Sequence, residues 1–240
     1  MKILAFNSSP RKSKGATDII LNKFLEGVKD SGGEFEKIYL SDKKINKCRG
    51  CFECWTKTPG KCIFRNDDMP GILKKMDKSD VIVYATPIYH FGITSDMQKM
   101  LEKTLPLIEP FLIKDKDLTK HPKRNKIKKD KWVIISACGF PEIETFQSLD
   151  LGFQQIARVH DVQIIGKIYR PSSEALLANV SLFQSYLKKC YIAGKEVVEN
   201  GVVTDKTQKE LYKDFIMPKF LYRFMANRFW KKQIKSKSSS

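Results

Sequence analysis

The sequence predicts an α/β fold: a doubly wound, five-stranded parallel sheet with helices on both faces. Three observations predict it. Strand-like and helix-like stretches alternate along the chain. Two strand candidates, residues 80–86 and 132–137, are near-continuous apolar runs, the pattern of strands buried on both faces. The helix candidates between strands repeat apolar residues at helical spacing.

The elements follow in order. Residues 2–6 read as a short buried strand. Residues 17–30 carry Ile20, Leu21, Phe24, Leu25 and Val28 on one helical face and stop at Gly32-Gly33. Residues 35–40 alternate as a second strand. A helix is expected at 69–78, the third strand at 80–86, and a helix at 95–104. The fourth strand is expected at 132–137, then a helix at 143–159, a strand at 162–169 and a helix at 182–199. Two stretches break the rhythm. Residues 114–131 are a basic run without apolar period, read as a solvated loop. Residues 215–237 are basic and aromatic and lead into a Lys/Ser tail. The expected organisation is one domain over 1–200, with a cysteine loop at 46–63 and a basic loop at 114–131. A basic, aromatic C-terminal extension follows over 201–240.

Composition narrows the function. The 240 residues carry 44 Lys and Arg against 27 Asp and Glu, a formal charge of +17, which favours encounter with anions. Hydrophobic residues make up 42%, enough for a core, which excludes a wholly disordered chain. No apolar run approaches the roughly 18–20 residues of a membrane-spanning helix. The first residues lack a signal-peptide cleavage pattern, so a cytoplasmic location is expected. There the six cysteines are free, metal-bound or redox-active before they are structural disulfides. No zinc-finger, RRM or helix-turn-helix signature appears, and no nucleic-acid partner is expected.

In doubly wound sheets ligands bind beyond the carboxyl ends of the strands. The loop after the first strand, Asn7-Ser8-Ser9-Pro10-Arg11-Lys12-Ser13-Lys14-Gly15-Ala16-Thr17, runs into a helix. Small hydroxyl residues let a phosphate approach the backbone, the helix start offers N–H groups, and Arg11 adds a charged fork. The loop is neither a Walker loop nor the dinucleotide fingerprint. The alternative is an ordinary strand–helix turn capped by Thr17. The loop after the third strand, residues 85–94, sets Pro87, Ile88, Tyr89, His90 and Phe91 at the strand's carboxyl end. Such groups suit a planar ring. The alternatives are a hydrophobic turn covering the sheet, and a surface histidine with no role. A third loop, Cys138-Gly139-Phe140, follows from strand position alone.

These residues carry a resemblance. Ser8-Ser9-Pro10-Arg11-Lys12 followed by Ala16-Thr17 resembles the phosphate loop of the NADPH-dependent FMN reductase and iron–sulfur flavoprotein family. Thr86-Pro87-Ile88-Tyr89 with Ser95-Asp96-Met97-Gln98 resembles its flavin-ring loop and helix start. Asn66-Asp67-Asp68-Met69 resembles the helix start after its cysteine segment. The resemblance covers residues 2 to about 105, with a weaker extension to about 200. It implies a flavodoxin-like fold, non-covalent FMN and NAD(P)H as co-substrate. It implies that Ser9, Arg11 and Thr17, with Ser13 and Ala16 beside them, hold the FMN phosphate. Pro87, Ile88, Tyr89, His90 and Phe91 would line the ring, with Cys138 and Gly139 from the third loop. Tyr89 and His90 are the catalytic candidates, for orienting a substrate. A homodimer or homotetramer is implied as well.

Cys48, Cys51, Cys54 and Cys62 lie within fifteen residues. Four thiolates can saturate one tetrahedral metal or ligate a [4Fe–4S] cube, and the compact spacing favours the cube over zinc. The segment resembles the cysteine motif of the iron–sulfur flavoproteins. Empty thiols or a redox disulfide, and zinc, are the competing readings. Cys138 and Cys190 read as small buried hydrophobes, and Trp55 as a packing residue. In the C-terminal extension Phe220, Leu221, Phe224, Met225 and Phe229 are expected on one side of a helix, with Lys219, Arg223, Asn227 and Lys231 largely on the other. That face suits docking onto the parent domain or a second subunit, or peripheral contact with an anionic membrane.

The functional expectation is an FMN-dependent NAD(P)H oxidoreductase delivering electrons to an unknown acceptor, with the cysteine cluster as an exit route. Two alternatives stand beside it. One is a flavodoxin-like electron carrier without its own turnover. The other is a flavin-free interaction protein, since Ser8 and Ala16 stand where family members often carry Gly and Asn.

Overall fold

The computed structural model describes residues 1–125, 130–213 and 218–237. The first half runs β1 (Lys2–Asn7), α1 (Ala16–Asp30), β2 (Glu34–Tyr39), α2 (Met69–Lys78), β3 (Val81–Pro87), α3 (Ser95–Glu102), β4 (Ile113–Asp115) and β5 (Leu118–Lys120). The second half runs β6 (Lys131–Ala137), α4 (Gln147–Val159), β7 (Gln163–Arg170), α5 (Ser173–Ala178), α6 (Gln184–Glu199), α7 (Asp205–Lys213) and α8 (Lys219–Lys237).

Five strands form one parallel sheet in the order β2-β1-β3-β6-β7. This is the flavodoxin-like order, and the expected fold is present. Side chains alternate across each strand, so one strand feeds two cores. Ile3, Ala5, Val81, Val83, Val133 and Ile135 join α1 and α6 on one face. Leu4, Phe6, Ile82, Tyr84, Trp132 and Ile134 join α2, α3 and α4 on the other. This double burial is why β3 and β6 read as unbroken apolar runs.

Strand order reverses between β1 and β3, the switch point where such sheets open a crevice. Ladder bonds continue past the strand ends there. Ser8 N–H donates to Ala85 O (2.9 Å), Ile88 N–H to Ala137 O (2.9 Å) and Cys138 N–H to Arg170 O (2.9 Å). The loops after β1, β3 and β6 therefore leave from one common edge.

Four expectations are corrected. The cap of α1 is Gly15, not Thr17, which lies buried inside the first turn. The helix expected to 104 ends at Glu102: Lys103 turns inward to pair with Asp67, and Pro106 restrains the residue before it. Residues 143–146 form a separate 3₁₀ turn before α4. The 114–131 segment is not simply a solvated loop. Residues 113–120 form the β4–β5 hairpin, Lys120 pairs with Asp115 and Asp161 (both 2.6 Å), and Lys123 pairs with Asp130 (2.8 Å). Part of that segment, 126–129, lies outside the described residues.

After α6, Val203 N–H donates to Ile165 O (2.8 Å) and Gln208 bonds both backbone groups of Lys167. Residues 203–211 thus cover the open edge of β7.

Helices α1 and α6 touch backbone to backbone. A Cβ on Gly27 would lie 1.9 Å from Tyr191 O, and one on Gly194 would lie 1.9 Å from Phe24 O. Neither obstacle is a flexible side chain, so the helices must separate to admit a methyl group. Gly27→Ala and Gly194→Ala are each expected to lower unfolding free energy by about 2 kcal/mol or more, overpacking outweighing the better helix propensity of alanine. Denaturant unfolding monitored by circular dichroism checks this; unchanged midpoints would mean the helices are not in contact there.

Candidate functional site

The phosphate-type loop rests on a buried polar network. Asp18 sits in the first turn of α1 and is only 1% exposed. Its carboxylate accepts from Asn7 Nδ2 (2.8 Å), Asn22 Nδ2 (2.8 Å) and Lys37 Nζ (3.0 Å). Asn7 in turn accepts the Ser9 N–H through Oδ1 (2.8 Å), which fixes the loop at its first residue. Burial alone would lower the Lys37 pKa, but Tyr39 and Asp18 outweigh it and the net shift is upward, so the ammonium is held.

Above this network Ser9, Ala16 and Thr17 are buried, and Arg11 and Ser13 are exposed. The first N–H groups of α1, at Ala16 and Thr17, have no intrahelical acceptor and carry the positive end of the helix dipole. Gly15 leaves room for the Ser9 hydroxyl: a Cβ there would stand 2.7 Å from Ser9 Oγ and displace it. The cradle is therefore small, polar and close to backbone, which fits a phosphate. Arg11 reaches both carboxylate oxygens of Glu174 on α5 (3.0 and 3.3 Å), across 163 residues of sequence. Lys12 adopts a left-handed conformation (φ 49°) and pairs with Asp42.

The second loop closes as a two-residue turn. Tyr89 and Gly92 exchange N–H···O bonds (3.0 and 2.9 Å) around His90 and Phe91. Both central residues are left-handed (φ 48° and 62°), the signature of a type I′ turn normally built from Gly or Asn. Thr86 Oγ1 accepts the Thr94 N–H at the base of the loop (3.3 Å), and Thr94 caps α3. Tyr89, His90 and Phe91 project into solvent, while Pro87 and Ile88 are half-buried. Two strained residues held by a closed turn are a feature of ligand loops.

The third loop meets the second through the rings of Phe91 and Phe140 (6.2 Å). Cys138 is buried, and burial pushes its thiol pKa up, so it stays protonated at neutral pH. Gly139 is exposed, and its carbonyl accepts the Tyr222 hydroxyl of α8 (2.6 Å). Tyr222 is 8% exposed, and Arg223 pairs with Glu142 (3.3 Å). The five apolar residues expected to dock α8, Phe220, Leu221, Phe224, Met225 and Phe229, are exposed instead. The contact runs through Tyr222, whose partner was not legible locally. Residues 214–217 and 238–240 lie outside the described residues.

Cys48, Cys51, Cys54 and Cys62 line one small pocket with Lys47, Arg49 and Lys103. Burial pushes the Cys54 thiol up, and Cys62, Cys48 and Cys51 push it the same way, a measure of how close they stand. Four soft donors with Lys47 and Arg49 beside them are of the chemistry that binds a metal or cluster. Among the described residues no three His, Cys, Asp or Glu side chains are gathered at metal-ligating positions. The pocket is framed from below: buried Lys103 pairs with buried Asp67 and donates to Phe64 O (3.1 Å). Trp55 Nε1 donates to Leu105 O (3.2 Å), and its ring packs against Phe52 and His121.

Residues 1–128 match the sequence family described as NADPH-dependent FMN reductase. An iron–sulfur flavoprotein of Archaeoglobus fulgidus is 37% identical over 106 residues, 44% of this chain and 46% of that protein. One from Methanocaldococcus jannaschii is 34% identical over 116 residues, 48% and 58% respectively. The chain thus spans about half the length of the curated relatives it matches. Among solved structures, the NAD(P)H:quinone oxidoreductase of Methanothermobacter marburgensis superposes with TM-score 0.61 at 13% identity, over 82% of this chain and 96% of that one. A flavone reductase gives 0.59 at 17% identity, over 90% and 66%. These structural likenesses establish the shared fold.

Tyr222→Phe removes the clasp on the third loop without removing the ring. It is expected to lower stability by about 1 kcal/mol and to speed amide exchange at Ser172 and Ser173, whose N–H groups donate to Phe140 O and Cys138 O. Burial raises the Tyr222 phenol from 10 to about 12. The neutral form is the one the fold favours, so the contribution is complete below pH 10 and lost as pH rises through about 12. The stability difference between the two proteins should therefore shrink over that window, as read by urea titrations; a constant difference would refute the hydroxyl's role.

Proposed function

Because the chain belongs to the NADPH-dependent FMN reductase family, we propose that it oxidises NAD(P)H with FMN as cofactor and delivers the electrons to a separate acceptor. The observation that carries this reading is the junction of a phosphate-sized cradle and an aromatic loop on adjacent strands at the switch point. When bound, FMN supplies a ring that takes up a hydride and can release electrons singly.

The chain's own residues have simpler tasks. Ser9, Ser13, Ala16 and Thr17 offer hydroxyl and backbone donors to the phosphate, and Arg11 turns from Glu174 to join them. Pro87, Ile88 and Phe91, with Cys138 and Gly139 opposite, bracket the ring and limit water. Tyr89 and His90, exposed at the tip of the strained turn, orient the incoming nicotinamide or acceptor. The reading includes a homodimer or homotetramer. It leaves the exposed aromatic and basic side chains of α8 available to a second subunit or to an anionic membrane surface.

Cys48, Cys51, Cys54 and Cys62 are proposed to hold a [4Fe–4S] cluster. Support comes from the four thiols lining one pocket, from Lys47 and Arg49 beside them, which would offset thiolate charge, and from the names of the curated relatives.

The test begins with an absorption spectrum of anaerobically purified protein, with iron and acid-labile sulfide assayed on the same sample. Flavin bands with about four irons per chain are expected, together with steady-state NAD(P)H oxidation by a quinone. Flavin without turnover would favour an electron carrier, and a colourless protein that refuses FMN would overturn the reading. Arg11→Ala is expected to weaken FMN binding roughly tenfold or more. Glu174→Gln is expected to tighten it several-fold by freeing the guanidinium. Unchanged affinity in both would remove the cradle assignment.

A further inference from the structure

Tyr222, through Gly139 O (2.6 Å), and Arg223, through Glu142 (3.3 Å), tie the first turns of α8 to the body. The rest of the helix surface combines two features. Large apolar groups stand in solvent: Phe220 is 69% and Phe224 63% exposed, and Trp230 and Ile234 are exposed beyond them. The charge has one sign, since the helix carries seven Lys and Arg and no Asp or Glu.

These groups are sorted along the helix rather than around it. Tyr222 is turned inward and buried. At about 100° per residue, Phe220, Phe224, Arg228 and Lys231 fall on the half of the helix opposite Tyr222, with Leu221 and Lys232 at its borders. The outward half is therefore apolar at its N-terminal end and basic farther along. All six of these side chains are exposed.

The occupant of such a surface must offer apolar matter and negative charge side by side. A second copy of α8 repels the first, because neither helix has an acidic residue. The surface of a bilayer containing acidic lipids supplies both parts, hydrocarbon for the rings and phosphate for the cations. No described helix is long and apolar enough to cross a membrane, so contact at the surface is the geometry open to α8. A helix lying level needs one apolar stripe from end to end. A slanted one needs an apolar end and a basic end, which is the order found here. Insertion by about 5–10 Å is close to the radius of a helix with its side chains, so the domain stays outside the bilayer.

We propose that α8 is a membrane-contact helix that enters an anionic bilayer surface at a slant. Phe220, Leu221 and Phe224 seat among the acyl chains, and Arg228, Lys231 and Lys232 bind the lipid phosphates, their long stems reaching back to the headgroups. The proposal goes beyond the flavin chemistry and does not depend on it.

Co-sedimentation of the full-length protein with sucrose-loaded vesicles tests this. Binding to vesicles of phosphatidylglycerol and phosphatidylcholine in equal parts is expected, with little binding to phosphatidylcholine alone. Phe220→Ala with Phe224→Ala should weaken binding about tenfold or more, because two rings lose their apolar burial. Arg228→Glu with Lys231→Glu should weaken it at least as much and erase the preference for the acidic lipid. All four side chains are exposed, so thermal midpoints should match that of the unsubstituted protein; should one pair misfold, the other decides alone. Lys114→Glu with Lys116→Glu makes the same charge change on the β4–β5 hairpin and should leave binding nearly intact. Four results would each overturn the proposal: no binding to the acidic vesicles, equal binding to phosphatidylcholine, an equal loss in the hairpin pair, or phenylalanine substitutions that abolish self-association and leave vesicle binding unchanged.

Discussion

A buried carboxylate governs the architecture of the site. Asp18 is almost fully withdrawn from water and must be paired. Its partners come from three elements: Asn7 at the end of β1, Asn22 one turn along α1, and Lys37 in β2. That requirement fixes where α1 starts relative to β1 and holds Asn7 in the orientation that receives Ser9 N–H. It also creates a problem that Lys37 solves. A helix N-terminus attracts anions, but an uncompensated anion in its first turn would repel a second one. With Lys37 on Asp18, the local charge is balanced, and the free N–H groups at the helix start keep their positive end uncancelled.

The fold was legible because its signals are local. Double burial leaves β3 and β6 as apolar runs, and the helix faces repeat within single elements. The loops after β1 and β3 were legible for the same reason, since each carries its donors or rings in one contiguous stretch. What could not be read is what joins them. Glu174 meets Arg11 across 163 residues, and Tyr222 meets Gly139 across 83. Neither residue carries a local mark of its role. Gly15 stood in the quoted motif, but its crowding against the Ser9 hydroxyl emerges only once the loop is packed. The basic run misled because its lysines were counted as charge, whereas Lys120 and Lys123 are spent on Asp115, Asp161 and Asp130.

The cysteine segment divides the same way. The close spacing of four cysteines marked the segment, and all four line one pocket. Their platform depends on the distant pair of Lys103 and Asp67, which ties the chain after Cys62 to the end of α3. The cysteine pocket shares Glu102, Leu105 and Pro106 with a larger cavity beside it, lined also by Ile82, Trp132 and Ile156.

The C-terminal helix shows why apolar content is a poor guide to contact. The expected docking face stays in solvent: Phe220 and Phe224 share a side at i,i+4 spacing, but Lys231 falls on that same side and Arg228 lies between it and Phe229, so no single apolar stripe runs the length of the helix. Trp230 and Ile234 project from still another side. A helix patterned this way gains little from lying on one flat surface. Tyr222 escapes that limit, since it needs only a single narrow slot and brings its own donor to the Gly139 carbonyl. Its neighbours Cys138 and Glu174 bear on its phenol, and Glu174 is the residue that holds Arg11. The clasp therefore adjoins the third loop and the ion pair above the first. Loosening the helix would act on both ends of a ligand stretched between them.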